Sequence, residues 1–314
     1  MKKMIPALVA AAGLMAGAAW ADQGTTAASF LKLATGPRAI AMGGSFAGLA
    51  DDVNALNYNA SGLAYLNDKE ITLMHAIWFQ DIYYDNGAVA WPIHNIGTLG
   101  LNVLYLNAGT FDGYTLDASG NPQSTGTFGA SDMALGLAFA RQVIPNISAG
   151  LLVKYISETI DGTSDGGVAV DISGLYHTPL PGLSLGANIQ NLGPAIGFNN
   201  TYSLPINFRL GVGYKPMKNV AVDMDYTQPI ETAGVLSIGG EYGYRDFFYA
   251  RGGYQYQGAI DYNQTYVGYG PSVAAGLSLG LGFKLYQHYL LDFAYVPFGF
   301  LGNTYRFSFT YKFE

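Results

Sequence analysis

From Tyr305 to Phe313 every second residue is aromatic: Tyr305, Phe307, Phe309, Tyr311 and Phe313. Between them stand Arg306, Ser308, Thr310 and Lys312. A strand sends alternate side chains to opposite faces, so this segment has one aromatic face and one polar face. The same period recurs upstream. Val220, Val222, Met224 and Tyr226 alternate with Ala221, Asp223, Asp225 and Thr227. Ile206, Phe208, Leu210, Val212 and Tyr214 alternate with Asn207, Arg209, Gly211, Gly213 and Lys215. A helical period of 3.6 would scramble all of these faces.

Turn residues between such runs place strands near 70–78, 83–91, 96–106, 130–141, 147–157, 166–176, 182–191, 205–215, 219–228, 235–243, 247–256, 271–284, 288–296 and 303–313. That is fourteen strands, most of a length that carries a tilted strand across a bilayer. An even number also returns the chain to the side of the membrane on which it began. Short connections rich in turn residues (92–95, 143–146, 178–182, 215–219, 244–246, 285–288) alternate with longer ones at 107–129, 192–204 and 257–270. Short turns on one side and longer loops on the other are the asymmetry of an outer-membrane barrel. The predicted fold class is all-β: a 14-stranded antiparallel transmembrane β-barrel.

Composition agrees. Half of the residues are hydrophobic but only 12% are charged, half the share of an ordinary soluble domain. Beyond the N-terminus no run approaches the eighteen or so apolar residues of a membrane helix. A soluble sandwich would also alternate, but its wet face is not built from Gly, Ala, Ser and Asn with aromatics at strand ends. Fourteen strands also enclose more space than apolar side chains usually fill.

Lys2 and Lys3 precede the apolar run IPALVAAAGLMAGAAW and the small-residue exit Ala19-Trp20-Ala21, the pattern of a signal peptide (1–21) cleaved near Ala21. Losing those two lysines takes the net charge from −7 to −9, which argues against nucleic acid as a partner. The expected location is the bacterial outer membrane, with its lipid around the barrel. No cysteine is present, so thiolate metal sites and disulfides are excluded.

Residues 22–69 show no strand alternation and read as an N-terminal plug segment containing short helices, ahead of a barrel at 70–314. Its apolar residues, among them Phe30, Leu31, Ile40 and Phe46, would be poorly satisfied in water and favour a place in the lumen. Asp51 or Asp52 is positioned to cap a helix starting at Val53.

Within this segment, FLKLATGPRAIAMGGSFAGLADDVNALNYNASGLAYL resembles the N-terminal signature of the FadL-like outer-membrane proteins, PorV/PorQ branch above all. Gly36, Arg38, Ala39, Met42, Gly43 and Gly44 match its first part; Ala50, Asp51, Asp52 and Ala55 match its second. The third, Asn59-Ala60-Ser61-Gly62-Leu63, has Ala where the family usually has Pro. The resemblance implies a plugged barrel and one of two jobs. The first is passage of small hydrophobic molecules, delivered sideways through a wall opening. The second is a PorV-type accessory of type IX protein secretion, binding secretion-machinery or cargo proteins. A structural wall protein is a third expectation.

By alternation the lumen receives Asp132, Lys154, Asp171, Arg209, Lys215, Asp223, Asp225, Glu241, Arg251, Asp292, Arg306 and Lys312, with evenly mixed signs. Folding the hairpin about Met217 sets Arg209 opposite Asp225. Glu241 and Arg251 fall on adjacent strands, as do Asp292 and Arg306. These charges are expected to brace the wall and hold the plug, each cross-strand pair adding about 0.2–1 kcal/mol. Arg38, Asp51 and Asp52 are candidate partners for them, and Arg38 is alternatively a ligand for a substrate carboxylate. Catalytic patterns such as H-E-x-x-H, G-x-S-x-G or a P-loop are absent, and His75, His94, His177 and His288 are scattered. No enzyme, metal or cofactor is expected. The glycines of GLSLGLGFK are expected to admit the plug at close range.

Overall fold

The computed structural model describes residues 24–78, 82–257, 276–298 and 302–313. The signal-peptide stretch, nearly all of the 257–270 connection and residues 271–275 of the twelfth expected strand lie outside them.

Fourteen antiparallel strands close into one barrel. They are β1 Lys69–Ile77, β2 Tyr83–Ile93, β3 Gly97–Leu116, β4 Pro122–Ile144, β5 Ile147–Ile160, β6 Thr163–His177 and β7 Leu183–Leu192. Then follow β8 Asn207–Met217, β9 Val220–Pro229, β10 Val235–Tyr244, β11 Phe248–Gln257, β12 Leu277–Leu285, β13 Tyr289–Pro297 and β14 Asn303–Phe313. Each pairs with its sequence neighbours, and β1 closes on β14 from Lys69↔Phe313 to Ile77↔Tyr305 without a register shift. Closure satisfies every edge, the condition for strands to stand in hydrocarbon.

The aromatic face of β14 points out and its polar face in. Phe307 and Phe309 are 48% and 42% exposed, whereas Arg306 and Thr310 are 3% and 5%. Leu73, Leu101, Leu137, Leu151, Ile238 and Leu279 extend this apolar exterior around the wall. Aromatic rings gather at both margins. Trp91 meets Phe313 at 6.1 Å and Tyr289 stacks on Tyr311 at 5.1 Å near the short turns, while Tyr295 and Tyr305 approach to 5.7 Å at the other end. These are the interfacial belts of a barrel in a bilayer.

Two expectations are corrected. The stretch 107–129 is not a loop: β3 and β4 continue pairing as far as Leu116↔Pro122, through register shifts at Asn107/Thr110 and Gly113/Tyr114. This ribbon outruns both neighbouring pairings, which end at Tyr83 on β2 and Ile160 on β5. It therefore projects from the rim. The second correction is the helix expected at Val53. It runs instead from Ala55 to Tyr58 with no side-chain cap, although Asp52 Oδ1 accepts the Asn54 N–H at 2.8 Å.

The leading segment fills the barrel. Short helices at Ser29–Lys32, Pro37–Ala41, Ala55–Tyr58 and Ala60–Tyr65 are linked by turns, and residues 39–42 and 45–47 are fully or nearly fully buried. Glycines on the wall let plug backbone lie directly against strand backbone. A Cβ on Gly253 would stand 2.1 Å from Gly43 N, and one on Gly213 would stand 2.6 Å from Gly48 C. In the GLSLGLGFK stretch, Gly280 likewise abuts Ala41.

Candidate functional site

The lumen has two unlike ends. At the short-turn end Arg38 is the hub. Its Nη1 donates to Asp51 Oδ1 at 2.7 Å and Asp52 Oδ2 at 2.9 Å. Its Nε and Nη2 fork onto the two oxygens of Glu241 at 2.8 and 2.9 Å. Glu241 also accepts from Arg251 Nε at 2.6 Å, and Arg251 Nη1 reaches Asp292 at 2.5 Å. On the other flank Lys215 pairs with Asp51. Lys312 holds Glu70 at 2.5 Å, and Glu70 in turn accepts the Val53 N–H at 2.9 Å. These are charge-assisted bonds between largely buried groups, individually strong.

Burial alone would raise the Asp51 pKa, but Arg38 and Lys215 outweigh it and hold the carboxyl well below the usual range. Arg38 likewise keeps its proton more firmly than usual: burial works against its charge, and Asp51, Glu241 and Asp52 overcome that. All three guanidinium nitrogens are committed to protein carboxylates. The reading of Arg38 as ligand for a substrate carboxylate is therefore withdrawn.

Asp223 and Asp225 grip the plug backbone. Asp225 Oδ2 accepts the N–H groups of Phe46 and Ala47, each at 3.0 Å, and Asp223 Oδ2 accepts that of Leu49 at 2.6 Å. The expected Arg209 pairing shifts: Arg209 stands opposite Thr227, because β8 and β9 slip between Tyr214 and Met217. Its Nη1 still reaches Asp225 at 3.4 Å, on a diagonal, and its guanidinium covers the Tyr58 ring at 5.1 Å.

The motif residues shape this plug. Gly43 has φ +73° and its N–H donates to Ser278 Oγ at 2.9 Å. Met42 is wholly buried, Gly36 and Gly44 also have positive φ, and a Cβ on Gly62 would collide with Ala50 O at 2.0 Å. Asn59 donates to Ala47 O at 2.8 Å and accepts from Ser61 at 2.5 Å, so the third motif closes without its usual proline.

At the opposite end the charges are arranged differently. Asp292 and Arg306 do not pair: Asp292 belongs to Arg251, and Arg306 Nη1 donates to Thr304 Oγ1 at 2.7 Å beneath the Trp78 ring. Asp132 stands directly opposite Glu158, and Glu158 directly opposite Asp165. Like charges in register are destabilising. Glu158 is relieved by the Ala28 N–H at 3.0 Å and Asp165 by the Gly197 N–H at 2.6 Å. Both signs are present at each end, but among the described residues only this end holds a row of like charges in register.

Between plug and wall at this end lies a cavity of about 440 Å³. Leu31, Leu33, Leu56, Leu104 and Leu152 give it an apolar side. Its lining also carries three paired cations: Lys32 with Glu231 at 2.6 Å, Lys154 with Asp171 at 2.8 Å, and Arg209 with Asp225 behind it. Glu231 was not anticipated from the sequence, because it lies in a connection with no alternation. The cavity adjoins a bulge in the wall. The β6–β7 ladder shifts between Val170 and Ile172, leaving Gln190 and Asn191 against Asp171 with Asn191 at φ +62°.

The histidines stay apart. His75 meets Asp85 at 2.6 Å on the outer wall, His177 lies tilted against the Tyr65 ring at 4.2 Å, and His288 lies by Lys312 O at 3.1 Å. Among the described residues no three His, Cys, Asp or Glu groups converge as a metal site would require.

A model of an uncharacterised protein family, UPF0164, matches residues 3–155. Comparison with curated protein sequences gave no match. Solved structures match over most of their length. The toluene transporter TbuX of Ralstonia pickettii superposes with a TM-score of 0.65 at 13% identity, covering 90% of this chain and 99% of that one. The monoaromatic hydrocarbon channel CymD gives 0.64 at 14%, covering 90% and 98%. A Pseudomonas aeruginosa FadL homologue gives 0.60 at 13%, covering 90% and 99%. The chain therefore has the fold of the FadL-like plugged barrels. These structures do not distinguish the PorV/PorQ branch.

Proposed function

We propose that this protein is an outer-membrane barrel that lets small, largely hydrophobic molecules pass inward without an energy source. The observation that carries the reading is the half-apolar cavity between plug and wall, placed beside the β6–β7 bulge. A molecule entering from the long-connection end meets this cavity before the ion network, which blocks straight passage along the axis. The bulge offers a sideways departure into the bilayer. Architectural likeness to barrels described as toluene and monoaromatic hydrocarbon transporters supports the reading, and none of this geometry calls for catalysis.

The bracing role is part of the proposal: Arg38, Asp51, Asp52, Glu241, Arg251 and Asp292 lock the plug, while Asp223 and Asp225 clamp its backbone. A PorV-like role in secretion is the second reading, favoured by the projecting β3–β4 ribbon with Tyr114 and Leu116 at 65% and 70% exposure. Affinity purification from native outer membranes, with bound lipids and proteins identified together, separates the two. Transport predicts recovery of apolar small molecules. Secretion-machine proteins without any apolar ligand would overturn it.

A further inference from the structure

The cavity is large enough for a small organic ligand and is not a plain hydrocarbon slot. Besides its leucines, the lining includes the carboxamides of Asn57, Gln190, Asn191 and Asn207. Asn57 Nδ2, Asn207 Oδ1, Thr35 Oγ1 and Arg209 Nε are buried with no protein partner, so the described lining has both donors and acceptors left to satisfy. Its three cations, by contrast, are already neutralised. Glu231 accepts from Lys32 at 2.6 Å and from Thr26 Oγ1 at 2.7 Å. Lys154 is shared by Asp171 and Asn191. Arg209 Nη1 faces Asp225 at 3.4 Å, with Asp223 on the same strand face as Asp225, while Arg209 Nε makes no bond. Among the described lining residues each cation has its own carboxylate, so no full positive charge is left over for an organic anion and no paired carboxylate is free for a cation.

We infer that the cavity selects uncharged amphiphiles: molecules with a hydrocarbon body and one neutral group, such as a hydroxyl, that both donates and accepts hydrogen bonds. A bare hydrocarbon would leave Asn57 Nδ2 and Asn207 Oδ1 unsatisfied. A carboxylate would be buried without a counter-charge, which is far costlier. The cross-strand row Asp132, Glu158 and Asp165 acts in the same direction, because an anion approaching from that end meets three carboxylates first.

The inference rests on the transport reading and sharpens its substrate class. Three probes of one skeleton test it: ethylbenzene, 2-phenylethanol and phenylacetate. Binding to the purified full-length protein in detergent is measured by calorimetry, and uptake is measured in proteoliposomes. The alcohol is expected to bind best, about tenfold better than the carboxylate. Asn207→Leu should weaken the alcohol about fivefold, one hydrogen bond's worth, and leave ethylbenzene unchanged. Asn57→Leu, in the plug rather than the wall, should do the same and guards against a local folding defect. Glu231→Gln releases Lys32 and should raise phenylacetate binding about fivefold.

Equal binding of alcohol and hydrocarbon, as when water alone serves the carboxamides, would overturn the inference while leaving transport intact. So would phenylacetate binding as well as the alcohol, or no gain with Glu231→Gln. If none of the three probes binds or enters, the transport reading fails with it.

Discussion

The two ends of the lumen are built from the same residue types and behave in opposite ways. At the short turns opposite charges converge from plug and wall, and a single guanidinium makes four bonds to three carboxylates. At the other end charges either pair privately around a cavity or face their own kind, as Asp132 faces Glu158. The lesson is that sign pairing across the plug–wall boundary, more than the number of charges, separates a sealed section from an open one. A buried network of this kind is costly to assemble, but breaking it strands charges and costs more.

The largest effect is expected from Arg38→Glu. Four carboxylates would then face one another with Arg251, Lys215 and Lys312 as the nearby cations, a loss of about 3–5 kcal/mol. Residues 24–66 should become protease-sensitive and single-channel conductance should rise. Unchanged protease resistance and conductance would remove the hub from the account. Gly253→Val is expected next. The new side chain would overlap the plug backbone at Gly43 and Met42, a conflict worth about 1–3 kcal/mol. The heat-induced unfolding shift seen on gels measures it. The same change at Gly252, where a Cβ comes no closer than 3.8 Å to Leu279, should be mild.

Much of the fold was readable because hydrocarbon outside and water inside impose a strict period of two. Tyr305 to Phe313 showed its two faces before any coordinates, and the ends of most strands fell within a few residues. The β3–β4 ribbon escaped because it projects beyond the bilayer, where neither face need be apolar, so TFDGYTLDASGNPQSTGTFG carries no alternation. Pairing was less legible than orientation. A bulge at the β8–β9 turn moves Arg209 from Asp225 to Thr227 without changing any face. The Arg38–Glu241 contact joins residues 203 apart in the chain, and no local spacing encodes it. Asn57 and Glu231 sit in non-periodic segments, so the cavity itself had no sequence signal.

Acid should distinguish the two ends next. Asp51 has a folded pKa held below its unfolded value of about 3.9, so its contribution is complete above that value and is lost as pH falls through the lower folded pKa. Protection of residues 24–66 from protease should therefore persist from pH 7 to about pH 4 and fail only in stronger acid. Loss near pH 5 would contradict the Arg38–Asp51–Lys215 linkage. The smallest effect belongs to the open end. Asp132→Asn removes one of two facing carboxylates and should stabilise the barrel by about 0.2–1 kcal/mol without altering conductance. Destabilisation would show that Asp132 has a favourable partner.

The absence of cysteine allows a direct test of where the leading segment lies. The Ser61 N–H donates to Ser173 Oγ at 3.0 Å, joining plug to the inner face of β6. With Ser61→Cys and Ser173→Cys in intact outer membranes, a short thiol-reactive cross-linker should join the two positions, read as a linked peptide by mass spectrometry. Near-complete linkage is the expected result. Two fully modified but unlinked thiols would place residues 24–66 outside the lumen and contradict a plugged barrel.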